Sequence, residues 1–168
     1  MLKRNDIVFL DSTAIFEAHR TGIWKHLIVG FRLATVEKCV EEADTGNLVG
    51  NPIQVDTAEL RKRASVHRVD EKTIVDAMVA SDFQLSTLDE GERELLACAH
   101  GQQGGAWFFS SQDKACLRVG TRLGMIEKYV SLEEMANVVG IRPRVPFRSH
   151  FTRKWLLEVR TKCRLGVL

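Results

Sequence analysis

Two unbroken apolar runs, IVFL at 7–10 and AWFF at 106–109, each give way to hydroxyl residues and an acid: LDS in the first, SSQD in the second. A strand with no polar alternation has both faces buried, which is the mark of a parallel sheet covered by helices on both sides. The intervening sequence supports that reading, because strand-like and helix-like stretches alternate with no tight hairpin signal. GFRLAT reads as a second strand and SVHRVD as a β-like segment. Helical spacing is expected over 13–27, broken or bent at Gly22, and over VEKCVEEA, DTAELRKRA, EKTIVDAMVAS, LDEGERELLACAHG and QDKACLRVGTRLG. The turn signals in DTGNLVGNP should end the VEKCVEEA helix, and GQQGG should be a flexible loop. Ser86 or Thr87 is the expected cap of the LDEGERELL helix. MIEKYVS is expected to form a last short strand, and Ser131 with Glu134 a capping box for LEEMANVVG. The predicted fold class is α/β, a three-layer α/β/α arrangement around a central parallel sheet.

At 168 residues and 45% apolar content, the chain suits one well-cored domain. No apolar run approaches the ~18 residues of a membrane span. The N-terminal MLKRNDIVFLD meets an acid too soon for a signal peptide, so a cytoplasmic location is expected. Cys39, Cys98, Cys116 and Cys163 show no CxxC spacing and read as buried reduced thiols. Net charge is only +2, yet it is unevenly spread. Residues 1–141 carry 16 basic against 21 acidic side chains, a balance of −5, while residues 142–168 carry 8 against 1, a balance of +7. A basic segment of this kind suits a polyanion or an acidic surface, or simply a solvated helix face.

Acids lie where such a sheet would gather them. Asp11 and Asp113 follow the two apolar runs, Glu37, Glu41 and Glu42 lie in the helix after the second strand, and Glu92 opens another helix. The carboxyl edge of a parallel sheet is where α/β folds build their sites. Carboxylates crowded together repel, and a hard divalent cation such as Mg²⁺ or Mn²⁺ relieves that with oxygen ligands. Phosphodiester cleavage assisted by such ions needs little else. Each acid also has an ordinary explanation as a helix cap or first-turn charge. There is no GxSxG, HExxH or GxxxxGK[ST], and His19, His26, His67, His100 and His150 are scattered.

IVFLDSTAIFEAH resembles the first motif of the PIN-domain ribonucleases, the family that includes toxins of the VapC kind. LDEGERELLACA resembles the third motif, with Glu92 at the metal-binding acid, and FSSQDKACLRVGTRLGM the fourth, with Ser111 and Asp113 in register. For the second motif, the resemblance selects Glu41, with Glu37 one turn earlier as the alternative and Glu42 in register with some variants. The likeness covers about residues 5–140, so the expected division is a nuclease domain at 1–141 and a basic linker and helix at 142–168. What it implies is an Mg²⁺- or Mn²⁺-dependent endoribonuclease acting on single-stranded RNA, with Asp11, Glu41, Glu92 and Asp113 as metal ligands and catalytic carboxylates. Ser12, Thr13 and Ser111 would orient those carboxylates. Lys114, Arg118, Arg148, Arg153 and Lys154 would meet RNA phosphates. An antitoxin protein and a homodimer are the partners the resemblance implies. The alternative is a non-catalytic module of the same fold that grips RNA or protein. A haloacid-dehalogenase-type phosphatase would need an acid where this chain has Thr13.

Overall fold

A computed structural model describes residues 1–48, 52–102 and 106–168. Its centre is a four-stranded, all-parallel sheet of β1 (Ile7–Leu10), β2 (Arg32–Val36), β3 (Ser65–His67) and β4 (Trp107–Ser110), in the order β3-β2-β1-β4. Ile7 lies opposite Arg32 on one side and Trp107 on the other, so the strand after each run ends at the same sheet edge. Helices cover both faces: α1 (Ser12–Arg20), α2 (Trp24–Gly30), α3 (Glu37–Leu48), α4 (Thr57–Arg63), α5 (Glu71–Ala80), α6 (Glu90–His100), α7 (Lys114–Arg122), α8 (Leu132–Val139) and α9 (Arg153–Arg164). The fold is a three-layer α/β/α sandwich.

The period of two along β1 divides the interior. Val8 and Leu10 face a cluster that includes Ile15, Leu27, Val40 and Met135, from α1, α2, α3 and α8. Phe9 faces the other cluster, with Leu95, Leu96, Leu117 and Tyr129. No helix among the described residues is long and apolar enough to cross a membrane.

Five helix starts follow one rule. Asp11, Asp56, Asp70, Asp89 and Asp113 are the N-caps of α1, α4, α5, α6 and α7, each accepting a backbone N–H three residues on. Such a cap contributes about 1 kcal/mol by satisfying an otherwise unpaired amide. Ser131 forms the complete capping box with Glu134 at α8. Gly22, at φ +73, separates α1 from α2.

Three local expectations are corrected. Ser86 and Thr87 lie in a short 3-10 turn (Gln84–Thr87), and Asp89 caps α6 in their place. α3 does not stop at Ala43 but runs on through Asp44, Thr45 and Gly46. There the Thr45 hydroxyl donates to Glu41 O, and a side chain at Gly46 would meet the Phe16 ring at 2.6 Å, so packing outweighs the turn residues. Residues 49–51 of that stretch, and 103–105 of the expected GQQGG loop, lie outside the described residues. MIEKYVS forms a 3-10 turn (Ile126–Lys128) and a single bridge between Tyr129 and Phe109, not a strand. Tyr129 is pulled inward instead, its hydroxyl donating to Cys116 O at 2.8 Å.

The basic segment is part of the body. Leu156, Val159 and Cys163 of α9 join one core cluster and Phe151 the other. The strap before α9 is anchored on Glu17, a carboxylate only 1% exposed. Glu17 accepts from Arg20 Nε at 2.7 Å and from the Arg148 backbone N–H at 2.9 Å.

Candidate metal centre

The carboxyl ends of β1, β2 and β4 and the first turn of α6 deliver acids to one place. Asp11, directly after β1, is 3% exposed. It accepts from the Ala14 N–H at 2.7 Å and the Thr13 hydroxyl at 2.9 Å, and the Ser111 hydroxyl reaches the same carboxyl. Burial nevertheless pushes its pKa up to about 6, with a further push from the charge of Glu42.

Glu42 comes from the second turn of α3. Its Oε2 accepts from the Ser12 hydroxyl at 2.6 Å. It lies against the first turn of α6, where a Cβ on Gly91 would stand 2.3 Å from Glu42 Oε1. Only a glycine permits that approach. Burial raises the Glu42 pKa, the Ser12 bond opposes the rise, and the charge of Asp89 adds to it.

Glu92 is the most perturbed of the group. Its carboxyl is pushed up to about 8, first by burial and then by the charges of Asp113, Asp89, Asp11 and Glu42. No hydrogen bond or ion pair reaches its carboxylate among the described residues. Asp113 is exposed, caps α7 through Cys116 N–H, and receives support from Ser111, whose hydroxyl accepts the Asp113 N–H at 3.3 Å.

The geometry therefore brings Asp11, Glu92 and Asp113 together and changes the second-motif acid. Glu41 points away, with its carboxylate 55% exposed and paired to Lys38 at 3.2 Å, and Lys38 in turn pairs with Glu90 at 2.7 Å. Glu37 is held by Arg61 in a two-pronged ion pair. Glu42, not Glu41, is the α3 acid whose charge acts on Asp11 and Glu92. Ser12, Thr13 and Ser111 touch Glu42, Asp11 and both aspartates respectively.

Two participants were not singled out from the sequence. Asp89 presses on both Glu42 and Glu92 by charge. Its signal was present: Asp followed three residues later by Glu, just before an apolar helical run, marks a helix start. Gln112, 8% exposed between Ser111 and Asp113, donates to the Ser110 hydroxyl at 3.2 Å while its Oε1 has no partner. No sequence pattern marks it.

The basic candidates separate by position. Lys114 opens α7 beside Asp113, and Arg118 lies one turn further along, both exposed. Arg148 and Arg153 lie against acids of the body instead, at Glu17 and Glu134. Lys154 is exposed on the first turn of α9.

All of these donors are carboxylate oxygens, the chemistry of a hard divalent cation. Among the described residues no three His, Cys, Asp or Glu side chains already stand in a metal-holding arrangement. Asp11 and Glu42 are held by hydroxyl partners, whereas Glu92 has no hydrogen-bond partner among the described residues. Compared with known proteins, the sequence matches no family model and no curated protein.

Proposed function

We propose that this chain is an Mg²⁺- or Mn²⁺-dependent endoribonuclease of the PIN kind that cleaves single-stranded RNA in the cytoplasm. One observation carries the reading. Carboxylates from four separate segments crowd at the carboxyl edge of the sheet, and burial with their mutual charge drives Glu92 to about 8. A group of acids this costly in isolation fits a site whose ligand is a cation.

Asp11, Glu42, Glu92 and Asp113 would hold the ion. When bound, a divalent cation lowers the pKa of a water and bears charge on the leaving oxygen. Thr13 and Ala14 keep Asp11 in one orientation, and Ser12 does the same for Glu42. Glu92, without a partner of its own, is the carboxylate able to turn toward substrate and take up a proton at its Oε atoms. Lys114 stands beside this edge to meet a phosphate. The four thiols are free, as suits a reducing compartment. An exposed stripe of Val75, Val79 and Phe83 on and after α5 suits a protein partner, either an antitoxin or a second copy.

Cleavage of single-stranded RNA with Mn²⁺, stopped by EDTA, is the test. Ser12→Ala, which strips Glu42 of its hydroxyl, should cost about 10-fold through weakened metal binding. Asp11→Asn and Glu42→Gln should cost more, and Glu41→Gln should leave the rate near wild type. Metal binding without cleavage would make the chain a binding module. Full activity in Asp11→Asn would remove the carboxylates from the chemistry.

A further inference from the structure

The turn between α1 and α2 opens onto a second cavity, of about 490 Å³, apart from the acidic cluster. His19 and Trp24 both line it, their rings stacked 4.8 Å apart with 24° between planes. His19 Nε2 is buried with no hydrogen-bond partner. Burial holds the imidazole below its ordinary pKa against the opposing pull of Glu59 and Asp56. Facing it are two carboxylates. Glu59 Oε2 accepts from Trp24 Nε1 at 3.3 Å, and Asp56 Oδ1 caps α4. Lys25 and Arg144 supply positive charge at the exposed rim.

A stacked ring pair, carboxylate acceptors and rim cations together match one kind of molecule. Single-stranded RNA is read by setting an unstacked base on an aromatic or imidazole ring and hydrogen-bonding its edge. Carboxylates accept from exocyclic amino groups, as on cytosine. Lysine and arginine take the phosphate. The cavity lies about 12 Å along α1 from Asp11, at a rise of 1.5 Å per residue. That is a reach within the same bound strand.

We infer that this cavity holds one nucleotide of the RNA strand, with an amino-bearing base against His19 and Glu59 and a phosphate against Lys25 and Arg144. The assignment rests on the RNA reading above. It predicts a base preference: cytosine presents an amino donor to Glu59, whereas uracil presents a carbonyl oxygen that the carboxylate repels.

Calorimetric titration of the whole protein in EDTA, where nothing is cleaved, tests it with short oligocytidylate, oligouridylate and inorganic phosphate as probes. Oligocytidylate should bind about tenfold tighter than oligouridylate, the scale of one good base-edge contact. Glu59→Gln should erase that preference, because an amide both donates and accepts, while the melting temperature stays near wild type. Arg144→Gln should weaken both oligonucleotides alike. Equal binding of the two probes by wild type, or a preference that survives Glu59→Gln, would overturn the assignment. So would Zn²⁺ alone binding at His19 in EDTA-free buffer in competition with the oligonucleotide, which would make the cavity a cation site. Base-selective binding without any RNA cleavage would leave the cavity standing and sink the nuclease. Cleavage without base-selective binding would do the reverse.

Discussion

Glu92 and Glu42 each show how one side chain decides the character of this edge. A glutamate whose pKa moves from the ordinary 4.5 to about 8 holds its proton more tightly folded than unfolded. Its contribution to stability is therefore fully present below about pH 4.5 and is lost as pH rises through about 8. Thermal melts in EDTA should show a falling melting temperature across that window, flattened by Mn²⁺ and removed by Glu92→Gln. A melting temperature independent of pH would mean that neither burial nor the neighbouring charges raise the Glu92 pKa. The correction from Glu41 to Glu42 was legible in principle. Residues on a helix are about 100° apart, so Cys39, Val40 and Ala43 facing inward put Glu41 on the opposite side and Glu42 at the flank beside Cys39. The resemblance to the second motif selects the neighbour, since it follows position along the chain and takes no account of rotation. Asp11 and Asp113 were easier to read, because each follows an apolar run that can only be a buried strand.

At the level of elements, tertiary packing explains both what was readable and what was not. Long amphipathic helices and buried strands announced themselves, but DTG did not end α3, since Phe16 against Gly46 outweighs a turn preference. Likewise, Tyr129 buries its ring and hydroxyl, which turns an expected strand into a single bridge. Helix α9 is docked by one face, and adjacent leucines test that. Leu156, 3% exposed, should cost about 2–5 kcal/mol when cut to alanine. Leu157, 46% exposed, should cost about 0.5 kcal/mol or less. Chemical denaturation of the two variants gives the comparison, and equal losses would mean that α9 is not docked by this face.

For the molecule as a whole, part of the charge imbalance is met within the fold. Arg148, Arg153 and Arg164 of the basic segment lie against Glu17, Glu134 and Glu127 of the acidic body. On the proposed reading, RNA binding should then take its salt dependence from Lys114, Lys25 and Arg144 and not from these three arginines. Lys114→Gln should lower the log–log salt slope by about 0.7, the value for one phosphate on a single strand, and Arg153→Gln should leave it unchanged. A slope that responds to Arg153 alone would put the segment on the RNA. The fold class was legible because apolar runs without hairpins leave few alternatives. The strand order β3-β2-β1-β4 was not, since nothing local in WFFS says that its neighbour is IVFL. That order has a consequence for a growing chain. Ile7 pairs with Trp107, 100 positions later. At about 5–20 residues per second of synthesis, the first strand waits roughly 5–20 s for its second neighbour. Asp113 follows that neighbour, so the acids meet only after most of the polypeptide has emerged. The acidic cluster of a nascent chain stays unassembled until then, and whatever tends it meanwhile must shield one open side of a strand made of Ile, Val, Phe and Leu.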